Sequence, residues 1–359
     1  GRVTASLPAG APASRERLSA QLGLTERVLA GPRMRKLLRV VEDGLDRVEQ
    51  TLARELKVTD TLADATTRYL YEAGGKRVRP MLTLLTAELG EGATDDVIAG
   101  ATALEMTHLG SLYHDDVMDG ADVRRGVPSA HAVWGNNVAI LTGDLLFSRA
   151  SQLMAQIGER AIRLQADTFE RLVLGQMHET VGPQAGEDPV DFYLQVLADK
   201  TGSLIAASAC AGALFSDAPV EYHDPVRRYG EKVGVAFQLL DDVIDLSPDA
   251  GETGKVPGTD LRAGVPTMPY LLLGRSGDPA SLALKATIDD GVLRIADGAD
   301  PAILDDAIAA LREHPATEAT RRQAYEWADA AVAAIDPLPA GVVHDALVKL
   351  SQVIVDRSS

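Results

Sequence analysis

Hydrophobic side chains recur three and four residues apart along most of the chain, from about Met34 onward. This spacing lines one face of an α-helix with apolar side chains. It is clearest in three stripes, formed by Leu37, Leu38, Val41, Leu45, Val48 and Leu52, by Val97, Ala101, Leu104, Met106, Leu109 and Leu112, and by Val226, Tyr229, Val233, Phe237 and Leu240. Strand-like alternation is scarce, so the pattern predicts an all-α protein, a single bundle of roughly ten or more helices.

Other positions predict where the helices stop. Three segments that contain Gly and Pro interrupt the pattern and predict loops, at 74–80 (GGKRVRP), 182–189 and 246–266. Asp224 predicts the N-cap of the third stripe, with Pro225 at its first helical position. Residues 1–32 are rich in Ala, Gly, Pro and Arg, which predicts a loosely ordered arm before one domain over 33–359.

Composition supports the helical prediction and narrows the function. Hydrophobic residues make up 46% of the 359 residues and aromatic ones only 4%, so Ala, Leu and Val must build most of the core. That composition suits packed helices better than a sheet. The formal net charge of -17 argues against nucleic-acid binding, because phosphate backbones would repel so acidic a chain.

Cysteine content and hydropathy bear on the compartment. The chain has one cysteine, Cys210, in the small-residue run AASACAGAL, so no disulfide forms within it and a buried structural thiol is expected. No stretch approaches the ~20 apolar residues of a membrane span, and no signal-peptide pattern is visible. We therefore expect no stable membrane insertion and a cytoplasmic location.

A short acidic motif occurs twice, each time after an apolar stripe. YHDDVMDG holds Asp115, Asp116 and Asp119, and QLLDDVIDL holds Asp241, Asp242 and Asp245. Residues i and i+4 share a helix face, about 6 Å apart along the axis, so the outer two aspartates of each motif lie together. Carboxylates grouped on a core-facing side are costly unless a cation relieves their repulsion. Oxygen-only ligands favour Mg²⁺, which bridges carboxylates to substrate phosphates.

Basic residues stand beside both motifs in this acidic chain. They are Lys76, Arg77 and Arg79 in the glycine-rich segment, Arg124 and Arg125 in DVRRGVPS, Lys200 in DKTGSL, and Lys255 after the second motif. Arg binds phosphate bidentately and Lys binds it as a point charge. Cations next to two metal-binding motifs indicate a site for a diphosphate with its metal.

These residues together resemble the trans-isoprenyl diphosphate synthase family, which has two aspartate-rich motifs in an all-helical fold. The resemblance runs from about residue 72 to 269, in the ordered pieces GGKRVRP, HDDVMD with RRG, GD at 143–144, KTGSL, FQLLDDVID and GKVPGTDLRAG. It implies the isoprenoid synthase bundle with a central substrate tunnel, and an Mg²⁺-dependent prenyltransferase. Such an enzyme joins isopentenyl diphosphate to an allylic diphosphate.

The resemblance assigns roles to individual residues. In the metal sites, Asp115, Asp119 and Asp241 would be direct Mg²⁺ ligands, with Asp116, Asp242 and Asp245 in support. Arg124, Lys200 and Lys255 would grip the allylic diphosphate. Isopentenyl diphosphate would be held by Gly75, Lys76, Arg79, His108 and Arg125. Lys200, Thr201 and Gln238 would serve catalysis, with Thr201 and Gln238 facing the developing allylic cation. Many members carry a Lys where this chain has Val265, so the allylic clamp has one cation fewer.

Product length depends on the helix face before Asp115. Short-chain members often block the tunnel there with aromatic side chains, whereas this chain has Gly110 and Ser111. Small residues at both positions predict an open tunnel and a long all-trans product, of about six to ten isoprene units by this resemblance. The alternative is that the two residues only permit close helix packing.

Other functions within reach of these motifs are a geranylgeranyl or farnesyl diphosphate synthase, a class I terpene cyclase, and a non-catalytic synthase subunit. Cyclases generally lack the second DDxxD, and regulatory subunits tend to have degraded motifs, whereas both motifs are intact here. The resemblance also implies a homodimer.

Overall fold

A computed structural model describes residues 31–248 and 256–356. Among the described residues the only strand pairing is a two-residue antiparallel ladder, β1 (Val123–Arg124) with β2 (Val127–Pro128). All other regular secondary structure of the described residues is helical, which confirms the predicted all-α class. None of the described helices combines the length and the apolar character needed to cross a lipid bilayer.

Sixteen α-helices follow one another in the described part of the chain. They are α1 (Pro32–Glu55), α2 (Thr61–Glu72), α3 (Val78–Ala87), α4 (Asp95–Asp119), α5 (Ala130–Trp134), α6 (Asn136–Ile157), α7 (Glu159–Val181), α8 (Pro189–Leu197), α9 (Ser203–Phe215), α10 (His223–Asp245), α11 (Thr259–Arg262), α12 (Met268–Ser276), α13 (Pro279–Ala296), α14 (Asp305–Arg312), α15 (Pro315–Ala334) and α16 (Val342–Asp356). A π turn (Ala198–Gly202) joins α8 to α9, and two 3₁₀ turns cover Val220–Tyr222 and Pro301–Leu304.

The described residues divide into two compact units. The first comprises those up to 165 together with 211–219, and the second comprises 166–210 and those from 220 onward. In the first unit α4 packs along α6, and α1 and α3 cover α4. In the second unit α10 packs along α15, around a core that includes Val235, Leu239 and Ala324. Each unit thus surrounds one helix that ends in an aspartate motif.

Local signals explain where α4 begins and ends. The Thr94 side chain accepts a hydrogen bond from the Val97 amide, and Asp95 and Asp96 occupy the positively polarised first turn. At the other end Gly120 has φ of 63°, a left-handed conformation that stops the helix directly after Asp119. The motif therefore stands at the last turn of a helix whose preceding turns are buried.

Three boundaries differ from those predicted. The glycine-rich loop is shorter than 74–80, because α3 already begins at Val78 and Pro80 fits its first turn, where no intrahelical N–H is needed. Helix α10 begins at His223, since a 3₁₀ turn leads into it, so Asp224 is not the N-cap and instead pairs with Arg227 in the first turn. The loop at 246–266 contains the short α11.

Two further predictions concern the single cysteine and the N-terminal arm. Cys210 is partly rather than fully buried, and burial raises the pKa of its thiol to about 11, which keeps it protonated and unreactive near neutral pH. Helix α1 starts at Pro32, so the predicted boundary after residue 32 falls at this helix start. The arm itself, apart from residues 31 and 32, lies outside the described residues.

Candidate active site

The first aspartate motif forms the C-terminal turn of α4. Asp116 is 1% exposed, whereas Asp115 is half-buried and Asp119 is exposed. A β-hairpin follows, and its turn at Arg125 and Gly126 (φ 53° and 77°) reverses the chain. This reversal lets the Arg124 guanidinium donate from Nε and Nη2 to Asp116 Oδ1, at 3.0 and 2.6 Å. The motif therefore has one aspartate held by an arginine and two aspartates nearer the solvent.

The glycine-rich loop of the same unit needs unusual backbone angles. Gly74, Gly75 and Arg77 have φ of 113°, 135° and 56°. A Cβ on Gly75 would lie 2.5 Å from Arg77 Nη1 and 2.8 Å from Arg125 Nη2, so only glycine fits between these two guanidinium groups. Both of them donate to the Gly74 carbonyl, at 3.3 and 2.5 Å. The loop is thus tied to the hairpin that follows the aspartates.

Arg77 is the buried anchor of this loop. Its Nε lies 2.5 Å from Glu49 Oε1 of α1, and its Nη1 lies 3.4 Å from Glu105 Oε1 of α4. The guanidinium also stacks 5.2 Å from the centre of the Tyr71 ring, whose hydroxyl donates to Glu49 Oε2. Burial alone would lower the pKa of Arg77, but the charges of Glu105 and Glu49 raise it instead. The arginine therefore stays charged and fixes the loop against two helices.

His108 lies in a strongly positive part of the first unit. Burial is the main reason why its pKa is well below the usual value, and the charges of Arg79 and Arg125 lower it further. The imidazole is therefore neutral near pH 7, when it can donate one N–H. Burial also lowers the pKa of Arg79, and its Nε has no hydrogen-bond partner among the described residues. Phosphate oxygens would satisfy both groups, and the exposed Lys76 lies three residues before Arg79 in the sequence.

The two predicted chain-length positions lie one turn before Asp115. A Cβ on Gly110 would lie 2.8 Å from Phe147 Cε1 and 3.1 Å from the Gly143 carbonyl, so Gly110 packs closely against α6. Ser111 is half-buried, and its hydroxyl donates to the His108 carbonyl at 2.6 Å. Close packing thus accounts for the glycine, and the role of both positions in chain length stays a prediction.

The second aspartate motif ends α10 in the second unit. Asp242 is 5% exposed, and its Oδ2 accepts from the Tyr193 hydroxyl at 2.7 Å and from the Met268 amide at 3.0 Å. Burial raises the pKa of Asp242 to about 8. Asp241 and Asp245 are half-buried, and the loop that follows returns to them, because the Asp260 amide donates to Asp245 Oδ1 at 3.4 Å.

The predicted catalytic residues of this unit lie on two elements. Lys200 and Thr201 belong to the π turn, and Gln238 is half-buried in α10, one turn before the aspartates. Lys200 Nζ lies 3.0 Å from Glu179 Oε2 of α7. Glu179 in turn is close enough to Tyr193 to raise the pKa of that phenol, after burial and Asp242 as the larger causes. Lys255 lies outside the described residues.

Both motifs offer oxygen ligands that suit a divalent cation. Among the described residues no three His, Cys, Asp or Glu side chains are grouped so as to hold a metal by themselves. Asp116 Oδ2 is buried and finds no hydrogen-bond partner within the described parts of the chain, which is costly unless a cation meets it. An incomplete set of carboxylates fits Mg²⁺, which takes its remaining ligands from phosphate and water.

The sequence profile of the polyprenyl synthetase family matches residues 60–294, a span that includes both aspartate motifs. The chain belongs to this family. As a polyprenyl synthetase it is a prenyltransferase, and its helices are those of the isoprenoid synthase fold. The resemblance inferred from the motifs is therefore confirmed.

Relatives of this polyprenyl synthetase include enzymes named for long products. The nonaprenyl diphosphate synthase of Mycobacterium tuberculosis is 46% identical over 277 residues, 77% of this chain and 81% of the relative. The octaprenyl diphosphate synthase of Haemophilus influenzae is 33% identical over 90% of this chain and 97% of the relative. A solved polyprenyl synthase of Caulobacter crescentus, complexed with calcium and isoprenyl diphosphate, has a TM-score of 0.80 and 30% identity, over 91% of this chain and 98% of its own.

Several residues of the site were not singled out as site residues from the sequence. Glu49 and Glu105 hold Arg77, and Tyr193 holds Asp242, across separations that no local motif reveals. Arg77 itself was visible as the middle cation of GGKRVRP. Its burial and left-handed backbone, which make it an anchor, depend on partners in α1 and α4.

Proposed function

We propose that this polyprenyl synthetase condenses isopentenyl diphosphate with an allylic diphosphate to give a long-chain all-trans polyprenyl diphosphate. The observation that carries the proposal is the pair of intact aspartate motifs, each ending a helix with one deeply buried aspartate. The names of the M. tuberculosis and H. influenzae relatives support a long product over a farnesyl or geranylgeranyl one. A terpene cyclase or a non-catalytic subunit finds no support in these relatives.

Mg²⁺ is the proposed cofactor, with Asp115, Asp119 and Asp241 as its direct ligands. Asp116, Asp242 and Asp245 would support them. When bound, Mg²⁺ would neutralise the diphosphate charge that develops as the leaving group departs. Calcium and isoprenyl diphosphate in the C. crescentus relative are consistent with a divalent cation next to a prenyl diphosphate.

The cations of the chain divide between the two substrates in this proposal. Lys200 and Arg124 bind the allylic diphosphate, together with Lys255, and Arg79, Arg125, Lys76 and Gly75 bind isopentenyl diphosphate. Neutral His108 donates its N–H to the same isopentenyl diphosphate. This division follows the positions of the residues, since Lys200 belongs to the π turn of the second unit and Arg79 to the first turn of α3 in the first unit.

The chemistry then follows from orientation and exclusion of water. The allylic carbon–oxygen bond breaks, and the double bond of isopentenyl diphosphate attacks the allylic cation. The oxygens of Thr201 and Gln238 face that cation, and the departed diphosphate takes up the proton whose loss restores the alkene. Water would quench the cation to an alcohol, so the reaction needs an apolar surrounding. The growing tail would pass Ser111.

Two features bear on assembly. Ile140 and Leu141 of α6 are 37% and 64% exposed, and such apolar side chains on one helix suit a homodimer contact. A relative from Geobacillus stearothermophilus is named component 2 of a heptaprenyl diphosphate synthase. We propose a homodimer that is active without a partner subunit, and gel filtration with an assay of the same fractions tests both points.

Labelled isopentenyl diphosphate with farnesyl diphosphate and Mg²⁺ tests the reaction. We expect the label to enter butanol-extractable product, to stop with a chelator and to return with Mg²⁺. A purified, folded chain that transfers no label with any allylic primer of five to twenty carbons would contradict the proposed reaction.

A further inference from the structure

The π turn of the second unit is an unusual element, and it carries two of the proposed catalytic residues. Ala198–Gly202 widen the helix by one residue between α8 and α9. Such turns are rare, since their hydrogen bonds are poorer than those of an α-helix, and many occur at functional sites. This one carries Lys200 and Thr201, which the proposed function places at the allylic substrate. Contacts that hold the turn open therefore set where these two residues lie.

One arginine reaches the turn from α7. Arg171 donates from Nε and Nη2 to Asp199 Oδ1, at 3.1 and 2.9 Å, and from Nη2 to Glu231 Oε1 of α10 at 2.5 Å. The same Asp199 oxygen accepts from Gln195 Nε2 at 3.1 Å. Burial alone would lower the pKa of Arg171, but its hydrogen bonds to Glu231 and Asp199 outweigh that cost and raise it. The guanidinium thus joins three elements, which we call the π-turn clamp (Arg171, Asp199 and Glu231).

Glycines bring the three elements close enough for this clamp. A Cβ on Gly175, one turn after Arg171, would lie 2.8 Å from Asp199 Cβ and 3.1 Å from Lys200 Cγ. A Cβ on Gly202 would lie 3.1 Å from the Glu231 carbonyl. A Cβ on Gly234 would lie 2.8 Å from Gly202 Cα. The backbone of the turn therefore packs directly between α7 and α10.

The clamp acts on the residue immediately before Lys200. Asp199 is held by its side chain, and its carbonyl also accepts from the Ser203 hydroxyl at 2.5 Å. Without the arginine, the carboxylates of Asp199 and Glu231 would repel each other in a half-buried place. We expect their separation to disturb the turn that carries Lys200, whose Nζ lies 3.0 Å from Glu179 Oε2.

We propose that the π-turn clamp consists of positioning residues, which hold the π turn so that Lys200 and Thr201 meet the allylic substrate in a productive orientation. The inference rests on the proposed function, because that function gives Lys200 and Thr201 their roles. In this role the clamp residues act through the backbone at Ala198–Gly202 rather than by contact with a substrate.

Arg171→Met and Glu231→Gln test the clamp, with Arg227→Met as a matched control. Arg227 also pairs with an aspartate on α10, Asp224, but both side chains are exposed and far along the helix from the turn. Hydrogen exchange of the amides at 198–203 is measured without substrate. Steady-state kinetics then give kcat and a separate KM for each substrate.

We expect both clamp variants to speed amide exchange at 198–203 and to leave exchange elsewhere near that of the wild type. Misplacing two catalytic groups should lower kcat by about tenfold or more and raise KM for the allylic substrate about tenfold. KM for isopentenyl diphosphate should change by less than about twofold, because the cations assigned to it belong to elements of the first unit, away from the π turn. Arg171→Lys should recover part of the loss, since Lys keeps the charge but lacks the fork.

Other results would overturn the clamp. Unchanged exchange at 198–203 in a folded Arg171→Met protein would show that the clamp does not hold the turn. Faster exchange with wild-type kcat and KM would show that it holds the turn without positioning catalysis. If Arg171→Met does not fold, the isosteric Glu231→Gln carries the test. A wild-type chain without prenyl transfer would instead remove the proposed function, and the exchange data would still decide whether the clamp holds the turn.

Discussion

The Arg124 guanidinium donates two hydrogen bonds to one oxygen of Asp116, Oδ1, while the other oxygen, Oδ2, is buried with no partner among the described residues. One oxygen of this carboxylate is thus hydrogen-bonded to the hairpin that follows α4. The other oxygen, Oδ2, can bind a cation or a water molecule that is bound to the cation. The pair explains how the middle aspartate of the motif can be both structural and close to the chemistry.

Replacing Arg124 should show how far the stability of the fold depends on its pair with Asp116. Arg124→Gln leaves the buried Asp116 carboxylate without its charged partner, which should cost about 1–3 kcal/mol in the free energy of unfolding. Arg47→Gln is the control, because the Arg47–Asp95 pair has a similar distance of 2.9 Å but is exposed to solvent. Urea denaturation of both variants measures the difference. Equal losses of stability would contradict the role given to the buried pair.

The aspartates at the helix ends should be essential for turnover. Asp115→Ala and Asp241→Ala should each lower kcat by roughly two or more orders of magnitude, as for the loss of a preorganised electrostatic group. The reason is that the proposed function makes each of them a direct Mg²⁺ ligand, and no third His, Cys, Asp or Glu is grouped with a pair of them in the described parts of the chain. Turnover is measured with saturating Mg²⁺, and near-normal values in both variants would contradict the two-motif mechanism.

Removing a cation should raise KM for one substrate and not for the other, depending on which cation is removed. Arg79→Ala should raise KM for isopentenyl diphosphate far more than KM for the allylic substrate, and Lys200→Ala should do the reverse. The expectation rests on their places, next to neutral His108 in one unit and beside Glu179 in the other. Both constants are measured for both variants, and equal effects on the two would show that the assignment of subsites is wrong.

The metal-free protein should lose stability as the pH rises from 3.8 toward about 8. Burial, with added repulsion from Asp260 and Asp241, raises the pKa of Asp242 from 3.8 to about 8, so the folded state keeps a proton that the unfolded state loses. Stability then falls with rising pH over that window. Thermal unfolding in a chelator should show a steeper loss of stability between pH 3.8 and about 8 in the wild type than in Asp242→Asn. Parallel pH curves for the two proteins would contradict this origin.

An aromatic side chain in place of Ser111 should shorten the product. Ser111→Phe should still consume isopentenyl diphosphate while its products shorten, since a longer tail would lose burial of about 0.8 kcal/mol per methylene and meet a direct clash. Gly110→Tyr is the less informative variant, because even a Cβ there would lie 2.8 Å from Phe147. Unchanged product length in a folded Ser111→Phe protein would place the tunnel elsewhere.

Periodicity and motif spacing predicted the helical class and placed both aspartate motifs correctly at helix ends. These features are local, because apolar stripes and i,i+4 carboxylates are written within one helix. The π turn and the left-handed Arg77 were not predicted, since each depends on partners distant in sequence. Arg171 and Glu231, which hold the π turn, lie 28 and 32 residues from Asp199 in the sequence. No motif around Asp199 indicates either partner. Glu49 and Glu105, each 28 residues from Arg77, fix the loop in the same way.

The product of the wild-type chain tests the central claim most directly. The purified protein is incubated with farnesyl diphosphate, excess isopentenyl diphosphate and Mg²⁺, and the dephosphorylated products are sized by chromatography against all-trans standards. We expect the distribution to end in a dominant product of about six to ten isoprene units, because small residues precede Asp115 and growth is limited by apolar space further along. A dominant product of three or four units would contradict the account.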